Sequence, residues 1–313
     1  MQEFVAHSTK VNCLCFGPKS NQVLATGGED CKVNIWRVGN VSNIWTLGQN
    51  KSPIDCLCFD SEEQCVVSGT TNGSLKVFDL NVGKLARNLG SHPVGVTSVQ
   101  YHPYGEFIVS GSVDCTMKVW DVRAKCCIQT YNGHTKEVTC VRFSPDGKWV
   151  GSASKDGQMQ FWDLVAGKLV NSIKLQPVYV RTFEFSPADF TVAAATSMRT
   201  VRFWDLDTME PIGATTSESN ALNAIAYSNL GTELYTASKD SLRLWDLEPS
   251  LTMRSSVEAG WDKIEDMKIS NNYQLVAGSC MSNFVSVWSV DVQEIMASQQ
   301  EQQQENASVD LSQ

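Results

Sequence analysis

The chain has 313 residues, 42% of them hydrophobic, which is enough apolar material for a sizeable core in one closed architecture. Its formal charge of -9 at pH 7 gives no basis for the counterion release that drives nucleic-acid binding, and its mean field opposes an acidic membrane surface. No apolar run approaches a membrane span, MQEFVAHSTK lacks the apolar core of a signal peptide, and an odd count of 11 cysteines without such a leader points to the reducing cytoplasm rather than a disulfide framework.

In chain order, QEFVA reads as a lone strand, and a pattern that repeats to the end follows it. VNCLCF, VLATGG, CKVNIW and NIWTL alternate apolar with small or polar residues and read as four short strands. The same four-part pattern returns as IDCLCF, CVVSGT, SLKVFD and LARNL, then as VTSVQY, FIVSGS, TMKVWD and CIQTY, and then as VTCVRF, WVGSAS, QMQFWD and LVNSI. Turn formers such as SPDG, HPYG and Asp-Gly separate the strands. Further units open on VRTFEF, LNAIAY and IEDMKI. The third strands end at Trp36, Phe78, Trp120, Trp162, Trp204, Trp245 and Trp288, at intervals of 42, 42, 42, 42, 41 and 43 residues.

A period of 40 to 45 residues with four strands and a Trp-Asp ending is the signature of a WD-repeat β-propeller. The expected fold is therefore all-β, with seven blades of four antiparallel strands. The seventh unit has only three strands and QEFVA has no blade of its own, so the N-terminal strand is expected to close the last blade and protect its edge. The propeller is expected over residues 1–290. Residues 291–313, which include the acidic QQEQQQEN run, are expected to be disordered.

His134, Ser152, Asp156 and Trp162 resemble a catalytic set, yet the set recurs as His92, Ser110, Asp114 and Trp120 at identical intervals. It appears again as His7, Thr26, Asp30 and Trp36 with one extra residue after the histidine. A catalytic centre occurs once, so these residues are read as structural networks in which Asp bonds His, His bonds the hydroxyl and the hydroxyl meets the indole N–H. The remaining units break the pattern and are expected to rely on packing alone. Cys13 with Cys15 and Cys56 with Cys58 lie two apart on core strands and lack a partnering histidine cluster, so they are read as small hydrophobes rather than zinc ligands. No nucleotide loop or distinctive carboxylate pair stands out, so neither enzymatic activity nor cofactor nor metal is expected. The variable loops on one face of the ring remain as a protein-binding surface, with Lys155, Tyr179, Arg181, Arg199, Lys239 and Trp261 as its candidate contacts.

LATGGEDCKVNIW (24–36), YHPYGEFIVSGS (101–112), KDSLRLWDLEP (239–249) and WDKIEDM (261–267) resemble the propeller of the non-catalytic regulatory subunit of katanin, the microtubule-severing ATPase. The resemblance implies a targeting module that contacts microtubules or microtubule-associated proteins at centrosomes and spindle poles. The katanin catalytic subunit would be a partner only if the helical carboxy-terminal domain that this family carries is not required. The alternative is a general adaptor, such as a ubiquitin-ligase substrate receptor or a centriolar scaffold.

Overall fold

The computed structural model describes residues 1–248, 250–261, 263–269 and 274–291. The strand β1 (Gln2–Val5) precedes seven repeating units. The first blade is β2 (Val11–Phe16), β3 (Val23–Gly28), β4 (Val33–Arg37) and β5 (Asn43–Leu47). The second is β6 (Ile54–Phe59), β7 (Cys65–Thr70), β8 (Ser74–Asp79) and β9 (Lys84–Ser91), and the third is β10 (Val96–Tyr101), β11 (Phe107–Ser112), β12 (Thr116–Asp121) and β13 (Cys126–Asn132). The fourth is β14 (Val138–Phe143), β15 (Trp149–Ser154), β16 (Gln158–Asp163) and β17 (Lys168–Lys174). The fifth comprises β18 (Val180–Phe185), β19 (Thr191–Thr196), β20 (Val201–Asp205) and β21 (Pro211–Ala214). The sixth comprises β22 (Ala224–Tyr227), β23 (Glu233–Ala237), β24 (Ser241–Asp246) and β25 (Thr252–Glu258). The seventh contains β26 (Ile264–Ile269), β27 (Gln274–Met281) and β28 (Phe284–Asp291).

The seventh sheet runs β1-β28-β27-β26, so the first strand of the chain is the outer strand of the last blade. The pairing is antiparallel, with Gln2 opposite Val287, Phe4 opposite Val285 and Val5 opposite Phe284. This gives seven four-stranded antiparallel sheets, a seven-bladed β-propeller. The third strand extends to Asp291, and the expected disordered stretch beyond it lies outside the described residues.

Alternation along each strand sends apolar side chains toward both neighbouring blades. Ile35, Leu47 and Ile54 therefore join Phe59 and Phe78 between the first two blades, and Phe161, Ile173, Phe183 and Trp204 pack between the fourth and fifth. At the seam, Phe4, Val285 and Val287 meet Leu14, Phe16 and Trp36, so the core is a continuous ring of inter-blade layers. A bulge lies where third and fourth strands pair, as between Val119 and Trp120 or Phe161 and Trp162, and it increases local twist beside the large indole. In each antiparallel sheet the second-to-third and fourth-to-first connections emerge on one face. The other turns emerge opposite.

Candidate functional site

On the first of these faces each network joins a loop, two strands and a turn. The His7 Nδ1 lies 2.8 Å from Asp30 Oδ1 and its Nε2 2.9 Å from Thr26 Oγ1, while Trp36 Nε1 donates to Thr26 Oγ1 at 3.0 Å. In the third blade the matching distances are 2.9 Å to Asp114, 2.7 Å to Ser110, and 2.8 Å from Trp120 Nε1 to Ser110 Oγ. With the carboxylate accepting from Nδ1–H, Nε2 is left as the acceptor for the hydroxyl proton.

The fourth blade repeats only part of the chain. His134 reaches Asp156 at 3.0 Å and Ser152 at 2.9 Å, but the Trp162 indole N–H meets no acceptor among the described residues. The four-membered network expected there is therefore three-membered, and Trp162 instead packs on Tyr131 at 4.7 Å between ring centroids.

Burial pushes the His92 and His134 rings below the usual imidazole value, against the pull of Asp114 and Asp156. Burial alone would raise the carboxyls of Asp30 and Asp114, yet both are held low, Asp30 by its bond from His7 and Asp114 by bonds from Thr116 and His92. The side chains of His7 and His92 are 0% exposed and that of His134 is 3% exposed. These imidazoles are spent on internal partners and shielded from any substrate.

Two further network members escaped the sequence reading. Ser68 Oγ donates to Asn50 Oδ1 at 3.4 Å, and Thr236 Oγ1 donates to Glu218 Oε1 at 3.4 Å. Asn50 and Glu218 each lie 18 residues before the hydroxyl, the interval that separates His92 from Ser110, and this spacing was the signal that would have found them. In the sixth blade Trp245 Nε1 completes the relay to Thr236 at 3.1 Å, and Arg243 Nε lies 3.2 Å from Glu218 Oε2. Burial raises the Glu218 carboxyl above the ordinary range, and Arg243 opposes it. The expectation that the second and sixth blades rest on packing alone is thus corrected.

Among the candidate contacts, Lys155, Arg181, Arg199 and Lys239 are exposed on this face and Tyr179 is half-buried. Lys155 pairs with Glu137, Arg181 donates to Asn223 Oδ1 at 3.4 Å, and Arg199 donates to the Ser219 carbonyl at 2.7 Å, so the last two bridge the fifth and sixth blades. Trp261 is not a surface contact. It is 3% exposed, donates its indole N–H to the Ser238 carbonyl at 2.7 Å and stands edge-on to Trp288, because the seventh blade lacks a histidine loop and fills the space with a second indole.

The central channel contains a cavity of about 480 Å³ walled by the inner strands. Arg142 and Glu184 approach at 3.7 Å, and Asp266 Oδ2 accepts the Phe16 N–H at 2.8 Å across the seam. The Lys268 ammonium is held up by Glu184, and burial raises the Asp266 carboxyl despite Lys268. Arg142 and Lys268 thus face Glu184 and Asp266, while Asp55 and Glu265 add two further carboxyls to the cavity wall. Cys13, Cys15 and Cys56 are buried thiols whose pKa values burial drives well up, and all eleven cysteines are free. Among the described residues no group of three or more His, Cys, Asp or Glu converges as a metal site, and no helix is long and apolar enough to cross a membrane.

The family model of the WD domain, G-beta repeat, matches residues 1–37, 42–79, 83–121 and 125–163. The chain is a WD40-repeat β-propeller. This propeller is 47% identical over 76 residues to the katanin p80 WD40 repeat-containing subunit B1 of Danio rerio, a stretch that is 24% of the chain and 11% of that protein. A homolog of the same subunit in Arabidopsis thaliana is 51% identical over 73 residues, 23% of the chain and 9% of the relative. The angio-associated migratory cell protein of Homo sapiens is 32% identical over 78 residues, 25% of the chain and 18% of the relative. The propeller thus matches about a tenth of the length of the katanin subunits.

Proposed function

We propose that the propeller is a non-catalytic docking scaffold that brings a microtubule-severing ATPase of the katanin type to microtubules at centrosomes and spindle poles. The observation that carries the non-catalytic part is the fate of the catalytic-looking side chains, since every His, Asp and hydroxyl set is satisfied internally and shielded. The identity with katanin WD40 subunits supports the cytoskeletal part, and the exposed Lys155, Arg181, Arg199 and Lys239 supply a cationic face suited to acidic partners despite the net charge. The matching stretch of the angio-associated migratory cell protein favours a second reading, a general WD40 adaptor with no severing role.

Cosedimentation of the purified chain with stabilised microtubules separates the two. The katanin-type reading expects saturable pelleting that weakens at least tenfold in a Lys155→Glu/Arg181→Glu/Arg199→Glu variant that stays folded at the assay temperature. Pelleting no greater than that of an unrelated acidic protein would overturn it and leave the adaptor reading.

A further inference from the structure

The outer strand of the fifth blade is short. The strand β21 has four residues where β17 has seven, begins at Pro211, which carries no amide proton, and pairs with β20 through Arg202–Ala214, Phe203–Gly213 and Trp204–Pro211, with backbone bonds from Asp205 to Glu210 and from Thr215 to Val201 at its two ends. A groove of about 650 Å³ opens between β17 and β21. Trp204, Ile173 and Leu175 form its buried apolar floor, and Met209 stands half-buried at one end.

Lys174 and Arg202 flank this floor, and no carboxylate lines the groove. Among the described residues neither side chain has a hydrogen bond or an ion pair, whereas Arg142, Lys155, Arg243 and Arg254 all face carboxylates. On a chain of charge -9, two unpaired cations beside an apolar trough form a local field of opposite sign.

We propose that this groove docks an extended peptide segment in which carboxylates alternate with large apolar side chains. In an extended chain alternate residues face opposite ways, so apolar side chains press on Trp204 and Met209 while the carboxylates face outward, where the long Lys174 and Arg202 side chains reach past the peptide backbone from the rim to meet them. Apolar burial supplies the affinity, and the Arg202 fork fixes the register. The site lies on the lateral wall and is separate from the loop face assigned to cytoskeletal partners.

The test is fluorescence anisotropy with fluorescein-labelled Ser-Asp-Phe-Asp-Phe-Asp-Ser, compared with peptides in which Lys replaces Asp or Ser replaces Phe. The proposal expects saturable binding of the first probe and at least tenfold weaker binding of both others. Lys174→Glu with Arg202→Glu should weaken it at least tenfold, while Lys136→Glu with Lys155→Glu leaves it unchanged. Ala214→Phe gives a charge-neutral block that should also weaken binding at least tenfold, because Ala214 is exposed, lines the groove and pairs with Arg202. Absence of saturation, equal binding of the lysine or serine peptide, indifference to the Lys174/Arg202 reversal in a variant that melts normally, or equal loss in the Lys136/Lys155 control would each overturn it.

Discussion

At the scale of single residues, a buried hydroxyl matters according to the partners it satisfies. Ser110 serves both His92 Nε2 and the Trp120 indole, whereas Ser152 serves His134 but not Trp162. Each buried group left unpaired costs about 1–3 kcal/mol. Ser110→Ala is therefore predicted to cost about 2–4 kcal/mol and Ser152→Ala about 1–2 kcal/mol, with roughly 2 °C of melting temperature lost per kcal/mol. Thermal melts of the two variants should show the larger drop for Ser110→Ala, and equal drops would mean that the indole bond contributes nothing. The histidine networks were legible because His, hydroxyl, Asp and Trp recur at a fixed spacing. Asn50 and Glu218 were not, since neither belongs to the residue types sought, although an amide oxygen or a carboxylate accepts the same hydroxyl proton. Trp261 misled in the opposite direction. An aromatic residue in a loop reads as an interface anchor, and only packing against Trp288 places it in the core.

At the scale of the element, the turns set how closely one blade approaches the loop of the next. Gly73, in the turn between β7 and β8, has φ +87°, and a Cβ there would collide with the His92 carbonyl and lie 2.6 Å from that of Val94. Gly39 has φ +94° with no atom within 4 Å of its would-be Cβ. Left-handed strain on a side-chain-bearing residue costs about 1–2 kcal/mol, and only Gly73→Ala adds a backbone collision to it. Gly73→Ala is predicted to destabilise by at least about 2 kcal/mol more than Gly39→Ala in denaturant titration. Similar losses would show that the loop before the third blade yields freely. The strands themselves were readable from alternation and turn chemistry. The shortness of β21 was not, because outer strands are mostly exposed and carry little apolar pattern; Pro211 was its one sequence mark.

At the scale of the whole molecule, seven third-strand aromatics at a near-constant interval fix the number of blades, and the unpartnered first and last segments fix how the ring closes. The channel charges were invisible in one dimension. Arg142, Glu184, Asp266 and Lys268 belong to three different blades and become a group only when the inner strands converge. Asp266 also reaches the Phe16 amide, so the seam is joined on its inner side by this bond and on its outer side by β1. A stiff docking surface depends on that seam, because an open ring would expose the β28 edge and release the packing of Phe4 on Trp36. The central claim is closure of the propeller by its own first strand, and amide hydrogen exchange over residues 2–5 in the intact chain tests it most directly. Closure predicts that amides of Gln2–Val5 hydrogen-bonded to β28 exchange as slowly as those of other outer strands such as β17, and exchange of this segment at the rate of an unstructured peptide would contradict it.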